Sequence, residues 1–143
     1  MFFGQHKHTL DAKGRIIIPA CYRDDLGEQF LLMRGNEECL LVYPGSQMEK
    51  FSAKFAELPS TDRSAQAYIR MFLSSMSRCD FDNQGRILVP ADLRKYASLE
   101  KEAVIIGVHD RIEIWSKDKW EEYSSRAMEN YNSILDDMTR FGI

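Results

Sequence analysis

Two arginines stand where a side chain could recognise a planar pair of hydrogen-bond acceptors. They are Arg15, in Asp11-Ala12-Lys13-Gly14-Arg15, and Arg86, in Asp82-Asn83-Gln84-Gly85-Arg86. A guanidinium offers parallel N–H donors in a rigid fork, which suits guanine O6 and N7, whereas lysine is a point charge better matched to phosphate. Lys13, at the tip of the first segment, fits the phosphate role; Gln84 stands in its place in the second. The Asp-x-x-Gly spacing is turn chemistry: the carboxylate accepts turn N–H groups and the glycine supplies a positive φ. Gly14 and Gly85 would also let the backbone come close to a groove. Asp11–Arg15 and Asp82–Arg86 can equally be read as local ion pairs that staple the turns. The two readings are compatible, with each aspartate orienting its arginine.

The elements that must hold these residues are duplicated. Asp11–Ala20 returns as Asp82–Ala91 with Asp, Gly, Arg, Ile, Pro and Ala identical and the other apolar places kept apolar. Arg23 matches Arg94 at the same offset, and Leu40–Tyr43 matches Ile112–Trp115 one residue further on. Such self-similarity means one structural unit used twice. A unit of this size buries too little surface to stand alone, so the copies are expected to share one core. Ser46 with Glu49, and Asp118 with Glu121, read as matching capping boxes.

His6–Leu10 and Arg15–Ile18 read as two strands paired across the first turn. Pro19 opens a short helix that Gly27 ends. Gln29–Met33 and Cys39–Tyr43 read as strands joined by a Gly35-Asn36 turn. Two helices follow, one from Ser46 to Pro59 and one carrying Ala65, Tyr68, Ile69, Phe72, Leu73 and Met76 on its apolar side. The second β unit runs from Arg78 to about Trp115. A last helix carries Trp120, Tyr123, Ala127, Tyr131, Leu135 and Met138. These stripes read as core or subunit contacts, with Phe55, Tyr123 and Tyr131 as candidates for the latter.

The 143 residues are 44% hydrophobic, enough for an ordinary globular core. The net charge of −3 argues mildly against bulk attraction to nucleic acid, but the charge is uneven. Lys7, Lys13, Arg15 and Arg23 face Asp11 alone over residues 1–23, while acidic residues outnumber basic ones over 116–143. Cys21, Cys39 and Cys79 form no C-x-x-C pair and read as buried small hydrophobes in a reducing cytoplasm. Met1-Phe2-Phe3-Gly4 does not look like a signal peptide, and no apolar stretch approaches the roughly 20 residues of a membrane span. There is no G-x-S-x-G, phosphate loop or H-E-x-x-H, so an enzyme is not expected. His6 and His8 share a strand face without a third ligand close in sequence, so neither metal nor cofactor is expected. Arg23 and Arg94 are weaker candidates for a site, as are His6 and Lys7 for phosphate.

Both motifs, each followed by three apolar residues and Pro, resemble the D-x-x-x-R motifs of the MraZ family, and the resemblance covers essentially the whole chain. It implies an α+β fold: a duplicated SpoVT–AbrB swapped-hairpin β-barrel, an intrachain pseudo-dimer, with added helices. The corresponding boundaries are 5–47 and 77–119 for the units, 48–76 for connecting helices and 120–143 for a C-terminal helix. It further implies a transcriptional regulator that binds double-stranded DNA at tandem direct repeats in the promoter of the division and cell wall gene cluster, its own gene included. A nucleoid-associated homo-oligomeric ring, with no membrane or small-molecule substrate, belongs to the same expectation. Arg15, Arg86, Lys13, Asp11, Asp82, Gly14 and Gly85 are the implied DNA-binding positions. Ser75-Met76 departs from the Gly-Ala pair expected there. A protein-binding module of the antitoxin type, gripping a partner with its helical tail, is the competing expectation.

Overall fold

The computed structural model describes residues 1–143. The first copy supplies β1 (Gln5–Thr9), β2 (Arg15–Ile17), α1 (Ala20–Leu26), β3 (Phe30–Arg34) and β4 (Leu40–Pro44). Two helices follow, α2 (Gln47–Ala56) and α3 (Arg63–Ser74). The second copy supplies β5 (Ser77–Cys79), β6 (Arg86–Leu88), α4 (Ala91–Tyr96), β7 (Glu102–Val108) and β8 (Arg111–Ser116). The chain ends in α5 (Lys117–Glu129) and α6 (Tyr131–Met138).

The pairing interlaces the copies. Strands run β1-β7-β8-β4-β3-β5 in a six-stranded antiparallel sheet, and β2 pairs with β6 in a separate ribbon. Only β3–β4 and β7–β8 are hairpins within a copy. The sheet order reads as the same sequence of elements outward from the central β8–β4 pair. This corrects two expectations. β1 and β2 are not partners, because β1 pairs with β7 and β2 with β6, both in the other copy; and the strands form a sheet plus a ribbon rather than a closed barrel.

Alternation along the strands fills both faces of the sheet. Phe30, Leu32, Leu40, Val42, Ile105, Ile112 and Ile114 join Ile16, Ile18, Ile87 and Val89 from the ribbon region, with Tyr22 and Leu93 from α1 and α4, in one core. On the opposite face Leu31, Met33 and Tyr43 pack under Phe51 and Phe72 of α2 and α3, and Trp115 packs near Trp120 of α5. Burial on both faces explains why β3 reads as a continuous apolar run. Buried Glu113 is satisfied by Arg111 Nη2 at 2.9 Å and Trp115 Nε1 at 3.0 Å.

Several local expectations change. The last helix breaks at Asn130 (φ −102°, ψ 16°), and neither α5 before it nor α6 after it has a fully buried residue. Ser116, not Asp118, caps α5 by accepting the Lys119 N–H, and Ser46 starts α2 in helical conformation without a side-chain bond. In the Gly35–Cys39 turn the left-handed residues are Glu37 and Glu38, each at φ 60°, rather than Gly35. Gly35 is needed instead for close approach, since a Cβ there would lie 2.8 Å from the Leu41 side chain. Ser75 is buried and accepts the Arg34 N–H at 3.2 Å while donating to the Phe72 carbonyl at 3.0 Å. Cys39 is buried and its thiol is pushed up to about 12 by desolvation; Cys79 is half-buried and pushed up to about 11 for the same reason. Cys21 is exposed, contrary to expectation.

Candidate nucleic-acid interface

The two motif turns are built by the same hydrogen bonds. Asp11 Oδ1 accepts the N–H groups of Lys13 and Arg15, each at 2.9 Å, and Asp11 Oδ2 accepts from Arg15 Nε at 2.7 Å. In the second copy Asp82 Oδ1 accepts from Gln84 and Arg86 N–H at 2.9 Å, and Oδ2 from Arg86 Nε at 2.7 Å. Backbone bonds close each turn, with the Gly14 N–H donating to the Asp11 carbonyl and the Gly85 N–H to that of Asp82, both at 3.0 Å. These contacts, the backbone N–H of the arginine first, hold both carboxyls below the ordinary carboxylate range. Each aspartate grips its guanidinium through Nε, which leaves both terminal nitrogens of Arg15 and Nη2 of Arg86 as donors for a further partner. The Asx turn and the Asp–Arg ion pair thus coexist at each motif.

The ribbon sets the relation between the turns. Its register places Arg15 opposite Leu88, Ile16 opposite Ile87 and Ile17 opposite Arg86. Ile16 and Ile87 are buried, so the alternate positions, Arg15, Ile17, Arg86 and Leu88, share the outer face. Two arginines from two copies thus lie on one narrow element. Arg86 Nη1 also comes within 3.7 Å of Asp11 Oδ2, so one carboxylate serves both arginines. Lys13 and Gln84 are exposed at the turn tips.

Gly14 and Gly85 have φ of 80° and 73°, as the turn chemistry requires. The expectation that their missing side chains admit a groove needs correcting, because both glycines are buried beneath an arginine of the other copy. A Cβ on Gly14 would sit 1.4 Å from Arg94 Nη1, and one on Gly85 would sit 2.3 Å from Arg23 Cζ. Arg94 Nη1 donates to the Val89 carbonyl at 2.9 Å and the Lys13 carbonyl at 3.4 Å, while Arg23 Nε donates to the Ile18 carbonyl at 2.8 Å. Arg94 therefore clamps the opposite turn by a bond across copies, whereas Arg23 covers Gly85 by contact alone. The signal for this was in the sequence, since they repeat at the same offset as the motif, but the cross-copy partner is visible only in three dimensions. His6 packs edge-on against Tyr22, with ring centroids 5.3 Å apart, and lies 3.7 Å from Cys21 Sγ. Burial first, then His6 and Arg23, lowers the His8 pKa. Lys7 is exposed on β1.

Fold and site together define a protein of two interlaced α+β units, each carrying an Asp–Gly–Arg turn. The family model described as "MraZ protein, putative antitoxin-like" matches residues 1–71 and again 72–141. Three relatives named "Transcriptional regulator MraZ" align along nearly the whole chain. The protein of Halothermothrix orenii is 47% identical over 143 residues, all of both chains. That of Pelotomaculum thermopropionicum is 48% identical over 136 residues, 95% of this chain and 94% of the relative. That of a Thermoanaerobacter species is 48% identical over 141 residues, 96% and 99% of the two chains. The chain belongs to the MraZ family. No helix is long and apolar enough to cross a membrane.

Proposed function

We propose that the protein is a sequence-specific DNA-binding transcriptional regulator, acting on direct repeats in the promoter of the division and cell wall gene cluster that includes its own gene. The observation that carries this reading is the ribbon, which presents Arg15 and Arg86 on one outer face, each gripped by an aspartate. A two-stranded antiparallel ribbon fits the major groove, where a guanidinium fork matches guanine O6 and N7. Arg15 and Arg86 are the base readers and Lys13 is a phosphate contact. Asp11 and Asp82 orient the readers, and Gly14 and Gly85 shape the turns. The cross-copy pairing supports the view of an intrachain pseudo-dimer of SpoVT–AbrB-type units at 5–47 and 77–119, with helices added at 48–76 and 120–143. The relatives' name as transcriptional regulators supports the regulatory role.

The same reading includes a head-to-tail ring. The two ends of the molecule are related but unequal, and unequal faces assemble through heterologous contacts that close when the rotation permits. A groove of about 1050 Å³ between α2, α3 and α5 is lined by Phe51, Phe55, Tyr68, Trp120 and Tyr123. Tyr131, Ile134 and Leu135 of α6 are exposed. Such a groove and helix are suited to meet in neighbouring copies, and a row of readers then engages repeats in one direction through high effective concentration. Footprinting on the protein's own upstream region, with light scattering on the same sample, tests this. Protected boxes at constant interval and a discrete large oligomer are expected. A monomer protecting a single inverted repeat would contradict it. The groove could instead receive a foreign partner, as in an antitoxin-type module; a stoichiometric partner captured without DNA would favour that second reading.

A further inference from the structure

We propose that Ile17 and Leu88 are specificity-determining residues that read the C5-methyl groups of thymines beside the guanines met by Arg86 and Arg15. This rests on the DNA-reading role of the ribbon. The register sets Ile17 directly opposite Arg86 and Leu88 directly opposite Arg15, so each arginine has an aliphatic neighbour contributed by the other copy. Directly opposed side chains stand about 4.5–5.5 Å apart at Cβ, close enough to act on adjacent base pairs. Four side chains therefore make a two-by-two patch of alternating arginine and aliphatic.

Both aliphatics face outward, with Ile17 41% and Leu88 58% exposed, while the residues flanking them in sequence on the apolar side, Ile16, Ile18, Ile87 and Val89, are buried. A single exposed leucine needs no explanation. Here the exposure recurs at the same position of both repeats and on the same face as the two anchored guanidiniums. Strand propensity accounts for isoleucine on an outer face but not for leucine. In the major groove the thymine methyl is the apolar group on a base edge, and aliphatic contact with it is the matching chemistry. Three residues per strand, at about 3.3 Å each, span about three base pairs, so guanine and thymine readers fall within one short box. The greater exposure of Leu88 makes its contact the larger of the two.

The test begins with a duplex selected by the wild-type protein from a random-sequence pool. Each thymine of that duplex is replaced singly by deoxyuridine, which lacks only the methyl, and affinity is read by fluorescence anisotropy. Binding should weaken about fourfold for each contacted methyl lost, at thymines adjoining the guanines whose replacement by 7-deazaguanine also weakens binding. Leu88→Ala and Ile17→Ala should each lose affinity for the thymine duplex and become insensitive to deoxyuridine at one position. The deoxyuridine series uses wild-type protein, so it stands even if a variant folds poorly. Unchanged wild-type affinity for a fully deoxyuridine duplex would overturn the inference while leaving the arginine readers intact. Failure to enrich any duplex would overturn the DNA reading itself, and this inference with it.

Discussion

The two turns share a framework and differ in what they carry. Asp11 and Asp82 accept the same three donors at the same distances. The tips have diverged: Lys13 gives the first turn a free cation where the second has Gln84. The surroundings have diverged too, since Asp11 serves both Arg15 and Arg86 whereas Asp82 serves Arg86 alone. Arg94 donates to the Lys13 carbonyl, while no matching bond joins Arg23 to Gln84. Duplication thus preserved the geometry that aims an arginine and released the positions around it. The first turn is the more cationic and the more tightly braced.

The largest test of this comparison is to separate the copies. β1, β2, β5 and β6 pair only with strands of the other half, so residues 1–76 and 77–143 expressed alone should each lack a cooperative fold. A well-dispersed monomeric NMR spectrum from either half would contradict the shared core. Next comes the glycine clamp. Gly14→Ala and Gly85→Ala should each cost about 1–3 kcal/mol in urea denaturation, because a side chain is strained at positive φ and must also displace the opposing arginine. Adding Arg94→Ala to Gly14→Ala should remove the collision and leave the strain. Equal stability of wild-type and both glycine variants would show that the clamp is incidental.

Smaller effects separate the two turns. Asp11→Asn should weaken DNA binding more than Asp82→Asn, since it loosens two arginines and not one. Both carboxyls titrate below their unfolded range, so their stabilising contribution is complete above that range and is lost as pH falls through the lowered folded values. A pH titration should therefore leave both turns intact through neutrality and loosen them only in strong acid. Least in size is the tip. Lys13→Gln should flatten the salt dependence of binding by about 0.9 in log–log slope, and Gln84→Lys should steepen it by as much. An unchanged slope for Lys13→Gln would remove that lysine from the phosphate contacts.

What was legible in the sequence is what is local. Asp11 and Arg15 meet within one turn, so the aspartate spacing and the glycine were sufficient to read their bonds. The partner of β2 was not legible, because alternation says which face a strand buries and not which strand lies beside it. For the same reason Arg94 could be matched to Arg23 but not placed over Gly14. The turn after β3 misled because Gly35 signals a positive φ as readily as a close approach, and here Leu41 demands the latter. The single C-terminal helix broke at Asn130, a residue whose helix-ending conformation an apolar stripe conceals.

The central claim is that two aspartate-held arginines on one ribbon read DNA sequence. It is tested most directly by the ratio of specific to non-specific affinity for the protein's own upstream region, compared between wild-type and Arg15→Ala/Arg86→Ala. Each arginine should contribute about 1–3 kcal/mol of discrimination, so the double variant should lose most of its preference for the upstream region over random DNA while still unfolding cooperatively in urea. A correctly folded double variant that keeps the wild-type ratio would contradict the account.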